Sequence, residues 1–212
     1  TALRTIGKAQ RPHKPPTRVV SLWLPNFSID RLNRCRPCAA PHKAVSPADR
    51  AAGAAPQVTV LKEKSALRIA AANPVAQAAG IAPGLTLADA HALVPGVQVD
   101  TADGDADVRA LAALAGWCGR YTPWTAAEAD DEAEVGGGGI WLDISGCAHL
   151  FGGEAGLLED LVGRLEALGF MARAAAADTP GAAWAMARFG LAAGALTTIV
   201  PPGGARPALA GL

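Results

Sequence analysis

No apolar run in the sequence reaches the roughly 18 residues that a membrane-spanning helix needs, and the N-terminal TALRTIGKAQ lacks the apolar segment of a secretory signal. A soluble intracellular protein is the expectation. Aromatic residues are scarce at 5 % and charged ones at 18 %, the difference being made up by Ala, Gly and Pro, which reads as compositional bias of the source. The Lys-Ser/Thr pair that completes a P-loop is missing after the glycines at 136–139, because Ile140 and Trp141 stand there. No G-x-S-x-G surrounds Ser145, so Asp143, Ser145 and His149 do not spell a hydrolase triad. Cysteines number 4, and although Cys35 and Cys38 form a CxxC with His42 close behind, no second pair at matching spacing completes a zinc site. Reduced thiols are expected.

What is present is half hydrophobic, in 212 residues, enough for one large domain or two small ones with a substantial core. Net charge is zero but unevenly spread. Residues 1–36 carry 8 Lys/Arg against Asp30 alone, whereas residues 100–166 carry 14 Asp/Glu against 3 Arg. One end suits phosphates and the middle repels them. Residues 1–17 combine these cations with prolines and no periodicity, predicting a disordered basic arm whose Lys8, Arg11 and Lys14 are the candidate contacts to nucleic acid.

Along the chain, RVVSLWL (18–24) reads as a buried strand closed by Pro25, followed by a helix capped by Asn26 or Ser28, with Ile29 and Leu32 inward and Arg31 and Arg34 outward. Residues 37–56 read as loop with short helical pieces, and 58–61 and 67–71 as short strands. Asn73 opens a short helix with Pro74 at its first position, and Thr86 caps another over 87–93. A strand at 97–99 precedes an amphipathic helix over 105–121, with Val108, Leu111, Leu114 and Ala115 on its buried side. The acidic run Glu128, Asp130, Asp131, Glu132, Glu134 reads as a solvated loop, and Gly136–Gly139 as a flexible hairpin tip. Ile140, Leu142 and Ile144 alternate with Trp141, Asp143 and Ser145 in a central strand. A helix over 154–168, a strand over 170–177, a helix over 178–189 and a linker-like tail from Ile199 complete an α+β pattern. Its helices are expected on one face of a sheet holding strands 18–24, 97–99, 140–145 and 171–177.

Four blocks in order, VVSLWLPNFSID, ALRIAAANPVAQAAGIAPGLTLADAHALVPGVQV, IWLDISGCAHLFGG and ARAAAADTPGAAWAMARFG, resemble the Y-family (DinB/UmuC-type) translesion DNA polymerases, and more narrowly the ImuB-type members, regarded as catalytically inactive accessories. The resemblance implies a Y-family palm of mixed sheet and helices at 18–26 and 97–190, fingers inserted at 27–96, and a linker or beginning thumb at 191–212. It also implies that two divalent ions would be held by one Asp ending the first strand and an Asp-Glu pair before the central one. Here those positions fall on Trp23, Gly138 and Gly139, and the positions that clamp the triphosphate fall on Pro74, Gln77 and Trp184. No catalytic residue, metal or cofactor is therefore expected. The partners implied are the error-prone polymerase subunit ImuC, ImuA or its variant, and the sliding clamp, met mostly through regions beyond these residues, with DNA binding weak. Cytoplasmic location, nucleoid-associated on recruitment, goes with that role. Two alternatives stay open: an active polymerase drawing carboxylates from Asp30, Asp143 or the acidic run, and an α/β interaction module unrelated to DNA.

Overall fold

The computed structural model describes residues 17–36, 55–128 and 136–212. Lys8, Arg11 and Lys14, the segment with Cys38 and His42, and Asp130 to Glu134 lie outside the described residues. The described residues open with β1 (Val19–Leu24), α1 (Phe27–Cys35), β2 (Gln57–Glu63), β3 (Ala66–Ala72), α2 (Pro74–Ala78) and α3 (Leu87–Leu93). Next come β4 (Gln98–Thr101), α4 (Gly104–Trp117), β5 (Thr125–Ala127), β6 (Gly138–Asp143) and α5 (Glu154–Ala167). β7 (Arg173–Ala177), α6 (Pro180–Phe189), β8 (Thr197–Ile199) and α7 (Ala205–Ala210) end it.

β1 is buried at every residue because it is the middle of a five-stranded sheet, ordered β5-β6-β1-β7-β8. It runs antiparallel to β6 and to β7, while β7 and β8 are parallel. On one face Val20, Leu22 and Leu24 join Ile140 and Leu142 of β6 and Ala174 and Ala176 of β7 against Leu111 and Leu114 of α4 and Leu157, Leu158, Leu161 and Leu165 of α5. The other face meets α6, where Trp23 and Ala175 pack with Ala187 and Ala177 packs with Ala182 and Ala183. β7 is nearly all alanine because helices cover both of its sides, and a methyl group is what fits between them.

The second sheet, β3-β2-β4, corrects one expectation. Residues 98–101 pair in parallel with β2, Gln57 opposite Gln98 and Val60 opposite Thr101, and so leave the central sheet. The expected palm boundary at residue 97 cuts through this second sheet. Its own small core holds Val58, Val60, Ile69, Ala76, Ile81 and Val97. Caps at Asn73 and Thr86 form as the sequence implies, and Thr179 caps α6 in the same way, each side-chain oxygen accepting a backbone N–H three residues on.

Side chains of α1 and its start depart from expectation, and two of them meet at Asp107. Asn26 directs its amide to Met171 Sδ instead of capping, and the Ser28 hydroxyl donates to Asp107 Oδ2 at 2.8 Å. Arg31, expected outward, pairs with Asp107 Oδ1 at 2.5 Å. Asp107 is thus drawn inward, and the next residue, Val108, is turned out to 59 % exposure instead of being buried. The tail is not a plain linker either: β8 extends the sheet, and Ala205 and Ala208 pack near α6. It also completes a buried cluster at the start of β1. Arg18 donates to both Glu154 oxygens at 2.6 and 2.5 Å, to Asp178 Oδ1 at 2.7 Å and to the Val200 carbonyl at 2.9 Å.

Candidate functional site at the end of the central sheet

Pro25 ends β1, and the antiparallel register with β6 sets Trp23 opposite Gly139 and Leu24 opposite Gly138. The three residues expected at metal-ligand positions therefore converge at one end of the sheet. Opposite residues share a face, so Trp23 and Gly139 look the same way, and Arg173 of β7 stands opposite Trp23 on its other side.

The glycine run is not merely a hairpin tip. Gly138 and Gly139 are the first two residues of β6 and are buried. A Cβ at Gly136, whose φ is +95°, would stand 2.2 Å from the Ala71 Cβ of the second sheet, and one at Gly137 the same 2.2 Å from the Trp23 ring. One at Gly138 would come within 2.9 Å of Leu111 Cδ1, and one at Gly139 within 1.8 Å of Glu128 Oε2. Each glycine leaves room for a neighbour, and the indole and the carboxylate take that room at the site itself.

Arg188 fills the centre. Its guanidinium lies 4.0 Å from the Trp23 ring centre and 4.3 Å from that of Trp184, and it donates to Glu128 Oε2 at 2.6 Å. Glu128 reaches the place because β5 pairs with β6 and the Glu128 N–H donates to the Gly139 carbonyl at 2.8 Å. Sequence reading missed Arg188, and named Glu128 only as part of the acidic run. Trp184 and Arg188 stand four apart on α6, a helical-neighbour spacing that is legible in the sequence; the third and fourth members come from distant strands and are not.

Other candidates lie elsewhere. Asp143 is at the far end of β6, opposite Val19, about 13 Å along the strand from Gly139, and its Oδ1 accepts the Ser145 N–H at 2.9 Å. Asp30 accepts the Met171 N–H at 2.9 Å. Gln77 turns its amide back to the Ala72 carbonyl at 2.6 Å, while Pro74 lines a cleft of about 270 Å³ between the two sheets together with Asn26, Asn73 and Met171. Magnesium requires several oxygen ligands. Among the described residues the sheet end offers two indoles, two glycines and one carboxylate already bound to a guanidinium, and no three His, Cys, Asp or Glu side chains come together. This donor set does not fit a divalent ion.

Residues 52–188 match the family described as impB/mucB/samB (IMS). The chain belongs to that family. Protein ImuB of Caulobacter vibrioides is 49 % identical to it over 133 residues, in two strains, covering 63 % of this chain but 27 % of that protein. The chain thus spans about a quarter of the length of these curated relatives. Among solved structures, an insertion ternary complex of Dbh DNA polymerase superposes with a TM-score of 0.65 at 14 % identity, covering 88 % of this chain and 49 % of that one. DinB from Sulfolobus solfataricus does so with 0.59 at 13 %, covering 85 % and 48 %. The α+β fold is that of the Y-family polymerases in their palm portion. No helix among the described residues is long and apolar enough to cross a membrane.

Proposed function

We propose that this IMS-family chain is a polymerase-shaped scaffold without polymerase chemistry, acting as an accessory in damage-induced mutagenesis and translesion synthesis. One observation carries the reading. The register that brings Trp23, Gly138 and Gly139 together leaves no oxygen ligand among them, and a fixed cation, Arg188, lies against Trp23. Phosphoryl transfer of this class depends on metal ions that neutralise phosphate charge and orient the attacking hydroxyl. A guanidinium tied to Glu128 does neither. Trp184, at a position where a triphosphate clamp would stand, meets Phe189 edge-to-face at 5.8 Å between ring centres and faces the same guanidinium.

In this reading the partners are a catalytic error-prone subunit of the ImuC kind, ImuA or its variant, and the sliding clamp, engaged mainly through regions beyond these residues in the cytoplasm. Kinship with ImuB supports the role in damage-induced mutagenesis. The second reading, an active polymerase with displaced ligands, draws support from Glu128, since a carboxylate does reach Gly139 from the start of the acidic run. Its pairing with Arg188 counts against it. Primer extension by the chain with Mg²⁺ and with Mn²⁺ separates the two. No product above the protein-free background is expected, and template-dependent extension would overturn the proposal.

A further inference from the structure

Arg188 brings a permanent positive charge to the sheet end, and the surroundings are shaped to it. Two indoles lie within 4.3 Å of its guanidinium, Glu128 accepts at 2.6 Å, and 6 % of the side chain is exposed. A planar guanidinium suits this combination, because it stacks on aromatic faces and pairs with carboxylate at once, whereas a small, strongly hydrated metal ion gains nothing from an indole ring. Gly139 is part of the same arrangement. Any side chain there would begin 1.8 Å from the Glu128 oxygen, so its absence lets the carboxylate reach the cation.

We infer that Arg188 is a built-in replacement for the divalent cation: its guanidinium holds the charge-neutralising place at the end of the central sheet, with Trp23, Trp184 and Glu128 as its receptor. The inference rests on the reading of this sheet end as a former metal centre. A guanidinium neutralises Glu128 and ties α6 to β1, yet it offers no open coordination position and cannot dissociate. A carboxylate restored at position 23 would be captured by Arg188 as a further charge-assisted partner before any metal could use it. Loss of the metal site then lies in a cation gained as much as in carboxylates lost.

The test uses Mn²⁺ alone, with the electron paramagnetic resonance signal of the free aquo ion as readout, on the wild-type chain, Trp23→Asp, and Trp23→Asp combined with Arg188→Ala. Wild type and the single variant should leave Mn²⁺ free, and the double variant should bind at least about tenfold more tightly than the single one. Equal binding by the single and double variants, or a folded double variant that binds no better, would overturn the inference. If the double variant does not fold, Arg188→Ala alone is melted with and without millimolar methylguanidinium. The added cation should raise the midpoint of Arg188→Ala and leave wild type unmoved, while the same concentration of NaCl should do nothing for either; an identical response in both proteins would again overturn it. Primer extension by the wild-type chain would sink the non-catalytic reading. Mn²⁺ binding by Trp23→Asp without extension would sink only the role of Arg188.

Discussion

At Gly138 a single methyl group is enough to test how closely the sheet end is packed. Its Cβ would meet Leu111 Cδ1 at 2.9 Å and Phe27 Cγ at 3.2 Å, so Gly138→Ala is expected to cost about 1–3 kcal/mol, the usual range for overpacking a core. Gly138→Asp should cost more, because its carboxylate would start between those apolar side chains. Urea titrations of the two variants check the order; equal stability of wild type and Gly138→Asp would mean that this end of the sheet yields easily. Titration of single groups adds a second expectation. Burial pushes the Cys118 thiol from 9.0 up to about 12, and burial followed by the hydrogen bond to Asp160 raises the Tyr121 phenol above its ordinary 10.0. Both hold their protons more tightly folded than unfolded, so their contribution is complete below about pH 9 and is lost as the pH climbs through the folded values. Asp178 behaves in the opposite sense. The Gly203 N–H and then Arg18 hold its carboxyl below the ordinary 3.8, so its contribution is present above that value and lost as the pH falls through the folded one. Melting midpoints should decline on both flanks, and Cys118→Val should flatten the decline between pH 9 and about 11. An unchanged alkaline slope in that variant would exclude the thiol as its source.

Among the elements, those with a strong local signal were legible: β1 from its apolar run and Pro25, α2 from Asn73 and Pro74, α3 from Thr86, and the inward faces of α4 and α5 from their leucines. What the sequence hid was decided by partners. Gln98–Thr101 reads as a strand, but only its pairing with β2 assigns it to the second sheet. Thr125–Ala127 is three residues beside an acidic run and becomes a strand because β6 offers a free edge. The tail carries no period, yet β8 lies on β7, Val200 caps Arg18 with its carbonyl, and the Gly203 N–H donates to Asp178 at 2.5 Å. The candidate site divides the same way, with Trp23, Gly138 and Gly139 readable as positions and the meeting of Glu128 with Arg188 visible only once the strands are paired and α6 is packed on them. Deleting residues 197–212 should therefore lower stability by about 2 kcal/mol or more, roughly 4–8 °C in midpoint at this size. A shortened chain that melts like the full one would restore the linker reading.

Across the whole molecule, three cations of the basic start are held by carboxylates and do not face a separate partner. Arg18 is taken by Glu154 and Asp178, Arg31 by Asp107, and Arg36 by Asp100 at 2.5 Å. Phosphate contact would then rest on Lys8, Arg11 and Lys14. With three cations engaged, log K for duplex DNA should fall against log salt with a slope no steeper than about −2.7. Fluorescence anisotropy at several salt concentrations measures it, and a chain lacking residues 1–16 should not bind; undiminished binding would place the DNA surface elsewhere. The central position of β1 has a temporal side as well. Its neighbours in the sheet are residues 138–143 and 173–177, so of the strands in this sheet the one made first is the one that waits longest for both edges to be covered. At typical synthesis rates of about 5–20 residues per second, VVSLWL stays half-paired or bare for roughly 10–30 s, a sticky apolar ribbon awaiting the last third of its own fold. Release of β1 from any holding contact is accordingly expected only once Ala177 has emerged, which protease sensitivity of stalled nascent chains of increasing length would check.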